Sequence, residues 1–359
     1  MRKVKVGVLG CGVIANSTYL PGISKMEKAD LIAVCDMVPE RAQAAGAKWN
    51  VPKIYTDLDK FLADPDIELV VNLTHIQAHF ETNLAALQAG KHVYTEKTMT
   101  VTVEEATTLI EEAKKRGLKL GAAAATMLSP ANIKVKSLIQ SGAIGRVCYV
   151  TGRHSHFGAA DFEPWSTDPT WFFKPGAGPI LDMGVYGLHS YTGILGPVKR
   201  VACMSGISVP VRTVRDGPAK GKKIQVEIDD NSQILMDFGN NTFGFLDATY
   251  CAKAAKGPRM TFYGDEGVIT VNDYGDPHPI SLFRDERNRF GYQGWTEIDL
   301  PRGATWGLPM GVEHLIECIL DPSKPIITSA EHARHVIELM NKCYVAAREG
   351  RTVELETTF

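Results

Sequence analysis

The segment ILDMGVYGLH, residues 180–189, sets three side chains suited to proton chemistry in a regular row. On a helix Asp182, Tyr186 and His189 stand at i, i+4 and i+7 and share one face. Leu181, Val185 and Leu188 repeat that spacing one residue earlier, forming an apolar stripe about 100° away. A helix buried along the stripe would hold a carboxylate, a phenol and an imidazole at the edge of a core. An ionised carboxylate only accepts hydrogen bonds, a phenol donates or accepts, and an imidazole can relay a proton. The row can therefore hold hydroxyl groups and move their protons. It can also be purely structural, with Asp182 capping a loop and Tyr186 filling core.

A second chemical pattern opens the chain. VGVLGCGVIA contains G-x-G-x-x-A as Gly10, Gly12 and Ala15, directly after a strand and at the start of a helix. Gly10 permits the tight turn, Gly12 lets the backbone approach a pyrophosphate, and Ala15 keeps helix and strand close. The N–H groups of Val13, Ile14 and Ala15, at the helix start, suit phosphate oxygens. The second strand ends in Asp36, placed to accept the ribose hydroxyls of an adenosine. Met37 follows it, and only Arg41, one turn into the next helix, could answer a 2′-phosphate. NAD is the expected cofactor and NADP the less favoured one.

Two further groups accompany these. RHSHF carries Arg153, His154 and His156; in a strand the two histidines point the same way and could meet Asp182 or His189 at a metal. Contact with a polar substrate or structural hydrogen bonding is expected instead, and no metal. PWSTDPTWFF brings Trp165 and Trp171 into the stretch before the 180–189 helix, where an aromatic face can stack on a sugar ring or plug the core.

The elements that must position these residues fall into two textures. Through the first third, strand-like runs at 4–10, 29–36, 53–55, 67–74, 91–96 and 118–125 alternate with helical runs at 39–49, 57–64, 79–90 and 103–117. Near-continuous apolar strands between helices indicate a parallel sheet covered on both faces. From about residue 145 longer strand-like runs dominate, with GNN at 239–241 as a hairpin signal. Helices are expected at 179–195, 310–320 and 329–349. The fold class is α/β: an N-terminal dinucleotide-binding Rossmann domain, residues 1–125, and a C-terminal α/β domain, residues 126–359, with an open, largely antiparallel sheet.

Bulk properties exclude several classes. The chain has 359 residues, 44% hydrophobic and 22% charged, with a net charge of −2. That leaves no basic surplus for nucleic acid. Its seven cysteines are odd in number and form no close pairs, which fits a reducing compartment. The apolar part of MRKVKVGVLGC, Val6 to Gly10, falls short of a signal h-region of roughly 7–15 residues. No run is long enough to span a membrane. A cytoplasmic location is expected.

The fingerprint at 10–15, AVCDMVPERA (33–42), LQAGKHVYTEK (87–97) and GAGPILDMGVY (176–186) together resemble the Gfo/Idh/MocA family of oxidoreductases. The resemblance implies a Rossmann domain followed by an open-sheet domain that often mediates oligomerisation. It implies hydride transfer between NAD(P) and a sugar, polyol or related carbonyl compound. The family's E-K-P motif matches Glu96-Lys97-Thr98, with the lysine catalytic. Its D-x-x-x-H/Y motif matches Asp182 and Tyr186, the tyrosine being similar to the glucose–fructose oxidoreductase and dihydrodiol dehydrogenase branches. Its A-T-P-x-x-x-H strand end matches Leu73, Thr74, His75 and His79, which places Thr74, His79 and Glu96 beside the cofactor.

Three positions depart from the pattern. Thr98 replaces the proline, so a trans Lys97–Thr98 bond is the default, a cis one before threonine costing about 2.5–4 kcal/mol. AATMLSP (124–130) lacks the arginine often found there, and His189 stands where the family has an acid.

Oxidising a secondary alcohol needs a hydride acceptor and a base for the hydroxyl proton. Lys97 and Tyr186 start near a pKa of about 10.4 and about 10. Burial lowers a lysine and raises a tyrosine, so Lys97 is the better base. Glu96, adjacent on the strand, points elsewhere and orients the cofactor or its loop. Asp182 then holds a substrate hydroxyl, Tyr186 donates to the reacting oxygen, and His189 completes a relay or recognises a hydroxyl. Arg153, His154, His156, Trp165 and Trp171 are the expected substrate contacts. The expected activity is an NAD-dependent sugar or glycoside dehydrogenase working on a ring secondary hydroxyl, glucoside C3 being a special case, in a homo-oligomer. The alternative is an NAD-using glycosidase that oxidises transiently and eliminates, with His189 or His156 as second base. A sensor that kept only the cofactor site is the third reading.

Overall fold

The computed structural model describes residues 2–161, 167–272, 276, 278–284, 293–301 and 304–359. It divides into two units, one of Met1–Leu128, Trp306–Ile337 and Phe359, the other of Ser129–Thr305 and Glu338–Thr358.

The first unit is built on six parallel strands: β1 (Val4–Leu9), β2 (Ala29–Cys35), β3 (Lys53–Tyr55), β4 (Leu69–Asn72), β5 (His92–Thr95) and β6 (Leu120–Ala122), in spatial order β3-β2-β1-β4-β5-β6. The order reverses between β1 and β4, so the strand ends there open a crevice at the topological switch point. Every residue of β4 is buried, as befits a strand covered on both faces. The helices are α1 (Leu20–Ile23), α2 (Pro39–Trp49), α3 (Leu58–Leu62), α4 (Ile76–Gln88) and α5 (Val103–Arg116). Local chemistry sets their ends. Pro39 sits in the first turn of α2, where its missing N–H costs nothing, and Asn50 closes it in the left-handed region at φ 54°. Thr102 and Glu105 form a reciprocal capping box on α5.

One stretch falls elsewhere than expected. Residues 306–337 belong with the first unit, and the first boundary lies after Leu128 rather than 125. The cause is α8 (Met310–Leu320), whose Val312, Leu315, Ile316 and Ile319 join the core formed by Val4, Val6, Val8 and Leu69. Apolar spacing at i, i+3, i+4 and i+7 marks the helix but not the sheet it packs on.

In the second unit α6 (Pro130–Gln140) precedes β7 (Val147–Arg153), α7 (Val185–Leu195), β8 (Arg200–Gly206), β9 (Val211–Thr213), β10 (Lys223–Gln225), β11 (Asn231–Gly239), β12 (Thr242–Thr249), β13 (Met260–Gly264), β14 (Gly267–Val271), β15 (Ile280–Arg284) and β16 (Gly294–Ile298). α9 (Ala330–Glu349) and β17 (Val353–Glu354) close the chain. Nine strands form one sheet in the order β16-β15-β14-β13-β7-β12-β11-β8-β17, antiparallel except for the β7–β12 pair. Asn240 and Asn241, both at positive φ, make the expected turn between β11 and β12.

Strand alternation gives this sheet two unlike faces. Val150, Val201, Ile234, Met236, Leu246, Phe262 and Ile269 are buried on one. Tyr149, Met204, Leu235, Phe243 and Trp295 stand exposed on the other. Among the described residues no helix is long and apolar enough to cross a membrane.

The helical segment 179–195 differs from the expected amphipathic helix. Its first part, Ile180–Gly184, is wound as a π-turn, and α7 is buried nearly all round from Val185 to Ile194. Glycines make that burial fit: a Cβ at Gly187 would reach within 2.6 Å of His154 Nδ1, and one at Gly184 within 3.1 Å of Ala248 Cβ. A separate small core of Ala159, Ala160, Phe172, Phe173, Val214, Ile224, Val226 and Tyr250 involves the β9–β10 hairpin.

Candidate active site

The glycine loop follows β1. Gly10 adopts φ +93°, and a Cβ there would lie 2.8 Å from the carbonyl group of Leu73. At Gly12 a Cβ would meet nothing within 4 Å, leaving the backbone open to a close-approaching group. Asn16 Nδ2 donates to the carbonyls of Cys11 and Gly12 at 2.8 and 3.1 Å, fixing the loop from behind. Residues 13–23 are helical, with a π-turn over Ala15–Tyr19; Val13 is exposed and Ala15 buried.

Asp36, at the end of β2, clamps the loop. Its Oδ2 accepts the Cys11 N–H at 2.8 Å and its Oδ1 the Val38 N–H at 2.9 Å. Each carboxylate oxygen has a second lone pair for a ribose hydroxyl. Burial and the neighbouring Asp36 push the thiols of Cys11 and Cys35 up to about 12, so both stay protonated. Met37 and Arg41 are exposed. An open Gly12 beside a clamped acid fits a bound dinucleotide.

The ends of β4 and β5 are cross-braced. Thr74 donates its N–H and its hydroxyl to Asn72 Oδ1 at 3.1 and 2.8 Å. Glu96 is buried, accepting the Tyr19 hydroxyl at Oε1 (2.5 Å) and the Lys97 N–H at Oε2 (2.8 Å). Lys97 is half-buried. The Lys97–Thr98 peptide is cis, not trans as expected, and so is Ala123–Ala124.

His79, expected as a cofactor contact, lies inside the unit. It is 0% exposed, with Nδ1 2.7 Å from the Thr98 carbonyl and Nε2 3.0 Å from that of Thr74. The reason is that α4 starts at Ile76, so His79 lies in its first turn and faces back into the unit. It braces the loops that carry Thr74 and Lys97. Burial pushes its pKa down while the two carbonyls oppose the shift.

The second unit assembles a polar cluster of its own. Asp182 Oδ2 accepts the Tyr250 hydroxyl at 3.1 Å and lies 3.5 Å from His156 Nε2. His156 Nδ1 accepts the Gly158 N–H at 2.8 Å, which places the ring proton on Nε2, towards Asp182. The His156 ring stacks on Tyr250 at 5.0 Å and 16°. Tyr186 is half-buried on α7; His189, further along, is 4% exposed and lies inside the unit instead of at its edge.

His154 and His156 keep the alternation expected of strand residues: their N–H groups donate to the carbonyls of Asp247 and Thr249, and both rings meet the helical segment 180–195, His154 at Gly187 and His156 at Asp182. The regular strand β7 ends at Arg153, but pairing at two-residue intervals runs on through His156. His154 is 4% exposed, packed against Gly187, with Arg259 Nη1 3.3 Å from its Nε2. Burial and the Arg259 charge hold its pKa well below the ordinary histidine value. Arg153 Nη2 donates to the Gly257 carbonyl at 3.0 Å. Trp171 is 53% exposed and stacks on Phe172, which with Phe173 fills the small core in its place. Trp165 lies outside the described residues. Among the described residues no group of three or more His, Cys, Asp and Glu is disposed to hold a metal.

Sequence reasoning missed Tyr19, Asn72 and Tyr250. Tyr19 and Tyr250 act through long-range hydrogen bonds, to Glu96 and Asp182, that no spacing along the chain announces, and Asn72 braces Thr74.

Residues 4–124 match the family described as "Oxidoreductase family, NAD-binding Rossmann fold", and residues 132–270 match "GFO/IDH/MocA C-terminal domain". The chain is 26% identical to levoglucosan dehydrogenase of Pseudarthrobacter phenanthrenivorans over 82% of its own length and 80% of the relative's. It is 32% identical to inositol 2-dehydrogenase of Salmonella typhimurium over 42% of its length and 46% of the relative's. An apo structure of levoglucosan dehydrogenase superposes with a TM-score of 0.86 over 100% of both chains at 20% identity, a likeness of fold. With both halves matched in order, the chain belongs to the Gfo/Idh/MocA family of oxidoreductases, whose Rossmann domain binds NAD.

Proposed function

We propose that this protein moves hydride between a ring secondary hydroxyl of a sugar or glycoside and NAD. The observation that carries the substrate class is the similarity, over 82% of this chain and 80% of the other, to a dehydrogenase of levoglucosan, a polyhydroxylated ring. Bound NAD would supply the hydride acceptor, in the loop of Gly10 and Gly12 with Asp36 on the adenosine ribose. Lys97 takes the hydroxyl proton on oxidation and returns it on reduction. Asp182 accepts a hydrogen bond from a substrate hydroxyl, Tyr186 donates to the reacting oxygen, and His189 relays a proton. His156, with its proton on Nε2, and exposed Trp171 offer a donor and a stacking face to the ring. Glucoside C3 is the first carbon to test.

A homo-oligomer is part of this reading. Tyr149, Met204, Leu235, Phe243 and Trp295 on the open sheet face support it. All seven cysteines are free thiols, which supports a reducing, cytoplasmic compartment.

The test is mass spectrometry of the cofactor released on denaturing fresh protein, followed by a sugar and glycoside panel read by NADH absorbance. Recovered NAD(H) with absorbance growing on one substrate supports the reading and names the substrate. Free sugar released from glycosides without net NADH would replace it with the NAD-using glycosidase. A bound dinucleotide with no turnover on the whole panel would leave a sensor and end the reading.

A further inference from the structure

We propose that Tyr250 is a positioning residue for Asp182, holding its carboxylate in the one orientation from which it can receive a substrate hydroxyl. The role of Asp182 as a substrate contact rests on the function proposed above; the contact between the two side chains does not.

Tyr250 follows β12, and its place is determined at several points. Its N–H donates to the Asp230 carbonyl at 2.8 Å. Asp230 is itself buried in a pair with Arg212, whose Nη2 donates to Oδ2 at 2.6 Å. The Arg212 guanidinium stands 5.5 Å over the Phe173 ring, and Phe173 meets the Tyr250 ring edge-on at 5.7 Å. His156 stacks on the same phenol ring. The phenol is thus fixed by a buried ion pair and by aromatic rings before it reaches Asp182.

Tyr250 is 0% exposed, so its hydroxyl acts on Asp182 and not on a ligand. Burial and the neighbouring Asp182 push the phenol's pKa well above 10, and it remains a donor across the working pH range. Asp182 lies within the π-turn, its N–H bonded to the Gly178 carbonyl at 2.9 Å. Its backbone is therefore set by the turn, and its side-chain torsions by donors from elsewhere in the unit. A hydrogen bond from a neutral donor to a carboxylate is among the stronger ones, and a buried donor is not exchanged for water.

Tyr250→Phe removes the hydroxyl and keeps the ring between His156 and Phe173. Two measurements decide the proposal. In a crystal structure of the variant with NAD, Asp182 should occupy more than one rotamer or leave the wild-type one; a single unchanged rotamer would overturn the proposal whatever the substrate. In a double-mutant cycle on the panel substrate, Tyr250→Phe should cut kcat/KM by 10- to 100-fold and shift NAD affinity less than twofold. In an Asp182→Ala background, which leaves the phenol nothing to position, the same change should alter kcat/KM less than twofold. Equal losses in both backgrounds would show a merely structural tyrosine. Full turnover by Asp182→Ala alone would instead remove Asp182 from the substrate site.

Discussion

The hydroxyl of Tyr19 donates to Glu96 Oε1 at 2.5 Å, and the other oxygen of Glu96 accepts the N–H of Lys97. One buried carboxylate thus joins the π-turn behind the glycine loop to the strand end carrying the proposed base. Tyr19→Phe deprives that carboxylate of a donor inside the unit. We expect unfolding free energy to fall by about 1–3 kcal/mol in denaturant titrations. A loss near zero would mean that water replaces the phenol.

Lys97→Ala should leave NAD affinity near wild type and lower turnover by more than about 100-fold, since general-base assistance contributes roughly 10²–10⁴-fold. Calorimetric titration and single-turnover kinetics separate the two effects. Near-normal turnover would take Lys97 out of the chemistry.

The two loop glycines should fail differently. Gly12→Ala adds a methyl into open space, so melting temperature should hold while NAD affinity drops at least about tenfold. Gly10→Ala forces a side chain to φ +93° and against the Leu73 carbonyl, so the fold itself should lose stability. An alanine at 12 that binds NAD normally would place the pyrophosphate elsewhere.

Cys11 and Cys35 make alkaline pH the weak side of this unit. Their folded pKa values, about 12, lie above the unfolded thiol value near 8.5. The native state therefore holds protons that the unfolded chain releases. Their contribution to stability is complete below pH 8 or so and declines as pH climbs towards 12. Chemical unfolding at a series of alkaline pH values should show that decline, and Cys11→Ala should flatten it. An unchanged slope would mean that neither thiol contributes to it.

Much of this fold is legible along the chain. α2, β3 and α8 occupy the residues that periodicity assigns them, because each is bounded by local signals such as Pro39, Asn50 and the apolar spacing of 312–319. What escapes is whatever depends on partners distant in sequence. RHSHF reads as a continued strand, and its pairing does run on through His156; what alternation does not announce is that His154 is buried against Gly187. The row at Asp182, Tyr186 and His189 assumes uniform 3.6-residue winding, which the π-turn at Ile180–Gly184 interrupts. Thr74 and Glu96 are visible as chemistry; the residues bracing them, Asn72 and Tyr19, are not.

The small core that contains Tyr250 also includes Ala159, Ala160, Phe172 and Phe173 and is distinct from the core of the Rossmann unit. Its separateness bears on how far a substitution is felt. The stretch bearing Trp171 can drift in sequence, or be redesigned, at a thermodynamic cost confined to a handful of apolar contacts. The glycine loop has no such latitude, with Gly10 against Leu73 and Asp36 bonded across it. A change around Trp171 is thus felt within one small apolar cluster, whereas a change in the glycine loop is felt by the Rossmann fold itself.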